Sequence, residues 1–312
     1  MTELPEVETI RLGLKKHLVG HTILDIVITL PKQFRGDPKL ITGAKVSGAR
    51  KFGKGLVIDF SNNMSLAIHV KMTGQLLYKP AKDKESEIGL QHFSVPQFTQ
   101  SYLKNNQGVQ DANEKNATSF SQFSLEDLPD KYTHVIFHLD RGAVLYYRDI
   151  RQFGWIQVVP TEEVAFLPFF KSLGKEPLRD LTLKDFKTIL KATRSPIKTV
   201  LMDQRRIAGV GNIYANDALF QAGILPTRSA SSLSPSEQQK LFVAIEALLT
   251  KSIALGGASA NNYISVLGTQ GNYQKHFLVY KKDGQACPLC GTIIQRCVLG
   301  GRGTFFCSSC QC

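Results

Sequence analysis

The chain has 312 residues and 43% hydrophobic content, enough for two domains with real cores and a small appendage. A net charge of +12 and a pI near 9.4 point to a polyanionic partner, most simply nucleic acid, although a ribosomal or membrane-surface role would carry the same charge. No apolar run reaches transmembrane length, no signal peptide is present, and all 6 cysteines lie after position 286, which argues against a disulfide framework and for an intracellular metal site.

The first stretch, MTELPEVET, predicts a placed N-terminus. Removal of Met1, which the small Thr2 side chain permits, exposes an α-amine directly before Glu3. Such an amine has a pKa of ~7.7–8.0 against ~10.4 for lysine, so at neutral pH it is a usable carbon nucleophile without special burial. Glu3 either hands a proton to whatever that amine attacks or merely decorates a helix entrance. Pro5 suits the first helical turn, Glu6 and Glu8 its positive end, and Lys15, Lys16 and His17 its negative end. Val7, Ile10, Leu14 and Leu18 make one apolar stripe and Gly20 a stop, so the terminus is anchored to a buried helix.

From Thr22 to about Val159 the pattern is β. Leu24, Ile26, Ile28 and Leu30 alternate with Asp25, Val27 and Thr29. Leu56–Phe60, Ser65–Val70, His134–Leu139, Ala143–Arg148 and Trp155–Val159 are short and β-branched or aromatic, with hairpin signals at Asn62-Asn63 and Asp140-Arg141-Gly142. With one leading helix, this predicts a β-sandwich or barrel. Residues 81–131, rich in Gln, Asn, Ser and Lys, break the rhythm and are expected to be a mobile insertion.

After about Thr182 the period becomes helical. Phe186, Ile189 and Leu190 mark one helix, and Ser195-Pro196 reads as the N-cap and first turn of a second. A third runs from about Ile213 to near Gly223, and Ser234-Pro235-Ser236-Glu237 is a capping box opening a fourth.

The strongest local signal is Cys287-x2-Cys290, then sixteen residues, then Cys307-x2-Cys310. Two such knuckles close a tetrahedral thiolate cage around zinc, and the βαβ context of a redox motif is missing. With all four positions filled by protein, the metal is structural; Cys297 is spare, and Cys312 is spare or a competing ligand. Gly300-Gly301-Arg302-Gly303 puts an arginine on a glycine-rich hairpin tip, either a phosphate contact or a solvated turn. Gly209-Val210-Gly211-Asn212, at a helix start among Arg194, Lys198, Arg205 and Arg206, is either an anion-binding loop or a plain turn. By residue type alone Lys54 is a surface charge, His69 and Met72 are edge or core residues, and Arg151 and Phe153 are a surface arginine and a buried ring.

Taken together and in order, these stretches resemble the formamidopyrimidine-DNA glycosylases and the related endonuclease VIII group over nearly the whole chain. ELPEVET, GKGLVIDF, HVKMTGQL, YRDIRQFG, LGKEPL, IKTVLMDQRRIAGVGNIYANDALFQAGI and GRGTFFC in the ribbon carry the resemblance. It implies an α+β multidomain fold: an N-terminal helix plus catalytic β-sandwich over 2–175, with 81–131 inserted, a helix–two-turns–helix DNA-binding domain over 176–270, and a zinc-ribbon finger over 276–312. It implies a bifunctional base-excision-repair DNA glycosylase and AP lyase that removes 8-oxoguanine and formamidopyrimidines and cuts the strand by β,δ-elimination. The implied partner is damaged double-stranded DNA, the cofactor is one structural zinc, and the setting is a cytoplasmic, nucleoid-associated bacterial monomer with no membrane.

By the same resemblance the Thr2 amine attacks C1′ and Glu3 protonates the sugar. Lys54 assists β-elimination, while Arg302 serves δ-elimination and phosphate binding. Met72, Arg151 and Phe153 fill the gap left by the flipped base. Arg194, Lys198 and Asn212 match phosphate contacts, and Tyr132 stands where the family often has a DNA-contacting histidine. The chain departs from the family in having Thr2 for the nucleophilic proline, Lys175 for a proline in LGKEPL, and a longer insertion. A primary amine gives an imine that must gain a proton to match proline's permanently charged iminium. The alternative reading is therefore a non-catalytic lesion- or gap-binding protein.

Overall fold

The computed structural model describes residues 2–81, 124–260 and 262–312; the bulk of the expected insertion, 82–123, lies outside the described residues. The N-terminal helix, α1 (Leu4–His17), forms where the apolar stripe predicts it. Glu3 is its N-cap, and the Glu3 backbone N–H donates to Glu6 Oε2 at 2.8 Å. Val7, Ile10, Leu14 and Leu18 enter the sandwich core, whereas Leu4 belongs to the core of the helical half. One helix thus starts in one core and continues in the other.

Strands β1 (Ile23–Ile28), β2 (Phe34–Arg35), β3 (Val46–Phe52), β4 (Gly55–Phe60), β5 (Met64–His69), β6 (Gly74–Lys79), β7 (Thr133–Leu139), β8 (Val144–Asp149) and β9 (Trp155–Pro160) follow. They make a four-stranded sheet in the order β1-β7-β8-β6 and a five-stranded sheet in the order β2-β9-β5-β4-β3. Leu76, Phe137 and Tyr147 of the first sheet meet Leu56, Leu66 and Ile156 of the second in one core, so the fold is a sandwich. The hairpin signals hold: Asn63 (φ 63°) and Arg141 (φ 59°) take the left-handed turn positions.

The short α2 (Pro168–Lys171) packs Phe170 against Val57, Ala67 and Val159 of the sandwich, and helices α3 (Leu183–Lys191), α4 (Ile197–Met202), α5 (Asn212–Gln221) and α6 (Pro235–Ala254) build the second half. Capping boxes at Thr182/Asp185 and Ser234/Glu237 start α3 and α6. The expected Ser195 cap is corrected: Pro196 itself is the extended N-cap (φ −53°, ψ 135°) of α4, and Ser195 Oγ accepts from Thr193 Oγ1 instead. Two turns separate α4 from α5. The α5 helix is buried all round from Ile213 to Phe220. It tolerates Asn216 and Asp217 there because Asn216 Oδ1 accepts from Phe305 N–H and Asp217 from the N–H groups of Leu278, Val279 and Tyr280.

After α6 the chain returns to the sandwich. Tyr263 and Val266 enter its core, and Tyr78 N–H donates to the Val266 carbonyl at 2.7 Å. It then forms the cysteine-rich end, where β10 (Gln295–Leu299) pairs with β11 (Arg302–Phe306). Gly300 (φ 57°) and Gly301 (φ 70°) make the two-residue tip, where both positions need the left-handed region.

Candidate active site

Glu3 is fully buried, 0% exposed, where α1 meets the start of α5. Its Oε1 accepts from Ile213 N–H at 3.0 Å, while Oε2 has no hydrogen-bond partner among the described residues. Burial pushes its carboxyl up, against the pull of Lys54 and the Ile213 N–H. The glycine loop read as a possible phosphate cradle has a different occupant. A Cβ on Gly211 would overlap the Glu3 carboxylate, and one on Gly209 would lie 2.6 Å from Leu4 Cδ1. The anion at the start of α5 is the protein's own.

Glu6, read from sequence as a dipole charge, is a junction. It accepts from Glu3 N–H, from Tyr214 Oη–H at 2.6 Å and from Ala258 N–H at 2.8 Å, joining α1 to α5 and to the turn after α6. Burial, then the neighbouring Glu3 charge, push its carboxyl up to about 7.

Lys54 occupies the β3–β4 hairpin tip beside Gly53, whose φ of 55° suits the first position of such a turn. It is not the surface charge its residue type suggests: it is 4% exposed and donates to the Val210 carbonyl at 3.1 Å. Burial pushes its ammonium down against the opposing carboxylates of Glu3 and Glu6, and Arg302 adds to the depression. Glu176, inside LGKEPL, clamps this turn by accepting from Gly53 N–H at 2.7 Å and pairing with Lys51.

Lys54 opens on a cleft of ≈ 760 Å³ lined also by Thr2, His69, Met72, Phe153 and Arg302, among others; the buried Glu3, next in the chain to Thr2, lies behind this lining. Arg302 reaches it from the tip of the cysteine-rich hairpin, three segments far apart in sequence thereby meeting at one site. By residue type His69 is only an edge or core residue. Its Nδ1 accepts from Lys71 N–H at 2.9 Å, and burial pushes its pKa down to about 3, so the ring is neutral and carries its proton on Nε2. The Met72, Arg151 and Phe153 side chains form one cluster: Arg151 Nη1 lies 3.3 Å from Met72 Sδ, and its guanidinium lies 4.7 Å from the Phe153 ring centroid. Phe153, expected to be buried by type, is 55% exposed.

Two expected phosphate contacts sit behind the hairpin. Lys198 is 1% exposed, with Nζ donating to the Gly303 carbonyl (2.8 Å) and Thr304 Oγ1 (2.7 Å); burial pushes it down to about 8. Asn212 Nδ2 donates to the same Gly303 carbonyl at 3.1 Å. Both tie the Arg302 hairpin to the helices. Arg194 is exposed next to Ser195, which lines the cleft. Tyr132 lies outside the lining, its ring within 5.0 Å of the Arg148 guanidinium and 5.1 Å of Lys131 Nζ.

The Sγ atoms of Cys287, Cys290, Cys307 and Cys310 all lie within 4.8 Å of one another. Cys290–Cys307 at 3.5 Å and Cys287–Cys310 at 3.8 Å match the ~3.8 Å edge of a tetrahedron with Zn–S of ~2.3 Å. Cys297 and Cys312 stand outside this cluster; Cys312 instead pairs its backbone with Gly223 and Leu225.

The packing at Gly211 gives a direct test. Gly211→Ala needs no unusual backbone, since φ is −132°, yet its methyl must displace the Glu3 carboxylate. Overpacking of this kind costs ~1–3 kcal/mol. Denaturant melts should show that loss; a variant with parental stability would contradict the placement of Glu3.

Three family models match in succession: the formamidopyrimidine-DNA glycosylase N-terminal domain over residues 1–156, the formamidopyrimidine-DNA glycosylase H2TH domain over 173–263, and the zinc finger found in FPG and IleRS over 284–311. The chain is 36% identical over 318 residues to a formamidopyrimidine-DNA glycosylase of Pelotomaculum thermopropionicum, covering 100% of this chain and 99% of that protein. It is 33% identical to one of Listeria monocytogenes, with 100% of both covered. Among solved structures it is similar to the MutM (Fpg) protein of Thermus thermophilus, with TM-score 0.78, 30% identity and coverage of 99% of this chain and 98% of that one. The Lactococcus lactis Fpg in complex with abasic-site DNA matches with TM-score 0.79 and 30% identity, over 99% of both chains.

Proposed function

The chain belongs to the formamidopyrimidine-DNA glycosylase family, and from that premise we propose that Thr2, Glu3, Lys54 and Arg302 are its catalytic groups. The protein is a bifunctional DNA glycosylase and AP lyase that removes oxidised purines, with one structural zinc in the four-cysteine finger. The observation that carries the residue assignment is Glu3: a buried acid held up in pKa, with one oxygen that meets no donor among the described residues, next in the chain to Thr2 and acted on by Lys54, both of which line the cleft with Arg302.

With Met1 removed, the Thr2 amine attacks C1′ and the bond from C1′ to the base breaks. Glu3 gives its proton to the sugar oxygen as the ring opens, leaving an imine on Thr2. Lys54, whose ammonium is depressed by burial, assists loss of the 3′ phosphate, and Arg302 binds phosphate and serves the second elimination. Met72, Arg151 and Phe153 fill the gap left by the extruded base. Arg194 extends the phosphate track at the rim, Tyr132 touches DNA away from the cleft, and Lys198 and Asn212 act on phosphate through the hairpin they hold. The units are 2–175, 176–270 and 276–312. Damaged duplex DNA is the partner, and the protein works as a monomer in the bacterial cytoplasm; among the described residues no helix is long and apolar enough to cross a membrane.

Borohydride trapping tests this reading. Mature protein incubated with 8-oxoguanine or abasic duplex should give a covalent adduct that peptide mapping places on the Thr2 nitrogen. Thr2→Pro should raise excision by supplying a secondary amine. Because burial narrows the pKa gap between Lys54 and a terminal amine, mapping matters: an adduct on Lys54 makes Thr2 a bystander, and no adduct at all favours the non-catalytic binder.

A further inference from the structure

The cluster of Met72 and Phe153 at the cleft, with Arg151 against both, is organised by a residue outside it. Asp149, the last residue of β8, is 0% exposed. Its Oδ2 accepts from Gly154 N–H at 2.8 Å and from Gln33 Nε2 at 2.9 Å. Its Oδ1 accepts from Thr73 Oγ1–H and, at 3.3 Å, from Arg151 N–H. Thr73 Oγ1 in turn accepts from Arg151 N–H at 3.0 Å. Among the described residues no cation pairs with this carboxylate, so its burial is compensated by these neutral donors, a costly way to hold a sheet end alone.

The donors coincide with the cluster. Arg151 is bound through its own N–H, Met72 directly precedes Thr73, and Phe153 directly precedes Gly154. Gly154 has no room for a side chain, since a Cβ would overlap Tyr147 Oη and lie 2.8 Å from the His69 carbonyl. Two loops that must press an exposed ring into a base stack are thus locked to one buried anion.

We propose that Asp149 is a positioning residue that pre-sets the Met72–Arg151–Phe153 wedge for the space vacated by the flipped base, an assignment that rests on the glycosylase reading above. Its effect is confined to substrates with a stack to open. Duplex DNA with a paired lesion needs the wedge; a single-stranded oligonucleotide with a ready-made abasic site needs only the amine and its acid. A merely structural carboxylate would affect both alike.

The experiment compares Asp149→Asn and Thr73→Val with the parent in two assays: single-turnover excision of 8-oxoguanine from duplex, and borohydride trapping on a single-stranded abasic oligonucleotide. Asp149→Asn keeps the volume but turns an amide N–H toward donors, and Thr73→Val removes one arm at constant shape. Losing hydrogen bonds to a charged acceptor predicts a drop of about tenfold or more in duplex excision for Asp149→Asn, a smaller drop for Thr73→Val, and parental trapping for both. Should Asp149→Asn fail to fold, Thr73→Val alone decides. Parallel losses in both assays, or unchanged duplex excision, overturn the assignment. A parent protein that traps no abasic DNA overturns the glycosylase reading itself, and this assignment with it.

Discussion

Glu3→Gln should abolish excision of 8-oxoguanine while leaving the fold and duplex binding in place. Glutamine keeps the oxygen that accepts from Ile213 N–H, so the junction of α1 and α5 survives, but it has no proton to give the sugar. Loss of a positioned general acid costs about 10²–10⁴-fold. The pH dependence has a definite sign. Burial pushes the Glu3 carboxyl up, so in the parent the acid is present at low pH and is lost as pH rises through that raised value; excision should decline along that limb. In Glu3→Gln the limb should vanish. Removing the Glu3 charge also takes away the largest influence holding the Lys54 ammonium up, so elimination at a preformed abasic site should persist. Single-turnover excision across pH, with binding followed by fluorescence anisotropy, checks both parts. A glutamine variant excising within a few-fold of the parent would remove Glu3 from the chemistry.

Metal removal should reach further than the finger. Thiolate-bound zinc supplies ~10–16 kcal/mol of apparent folding free energy to such modules, so chelation or Cys290→Ser should unfold the β10–β11 hairpin. Arg302 then leaves the cleft. Lys198, buried against Gly303 and Thr304, loses both acceptors, and Asn212 and Asn216 lose theirs and their donor. A buried cation left unpaired is strongly destabilising, so α4 and α5 should loosen with the finger. Among the described residues the sandwich core has no buried member beyond Val266, and it should persist. The single tryptophan, Trp155, reports on it selectively, packed edge-on against Phe169 and Phe170 of the sandwich side. DNA affinity should fall by about tenfold or more, ~1.4 kcal/mol, with Trp155 emission unchanged. Fully reduced, active protein containing no zinc, or loss of the Trp155 signal together with affinity, would refute this division.

Much of the molecule follows from the chain read locally, and the reason is range. The zinc ligands come as two C-x2-C knuckles whose spacing places the thiolates, the hairpin tips at Asn62-Asn63, Asp140-Arg141-Gly142 and Gly300-Gly301 follow from turn chemistry, and α1 follows from its stripe and its proline. Each depends on residues within a few positions of one another. Family motifs also mark Thr2, Lys54, Met72, Phe153 and Arg302, all of which line the cleft.

Tertiary structure alone decided what those residues experience. Gly209 and Gly211 looked like anion-loop glycines; folding fills their space with Leu4 and Glu3, some 200 residues away in the chain. By residue type Lys54 is a surface cation, and Lys198 matches a phosphate contact; burial makes one a depressed ammonium at the site and the other a tie to the finger. Glu6 is marked locally only as a helix-dipole charge, and nothing local singles out Glu176 or Asp149 within their motifs, because a carboxylate's role here is set by donors reaching it from distant segments. Desolvation and long-range partners are properties of the packed chain, and they, not residue type, determine which acid keeps its proton in this protein.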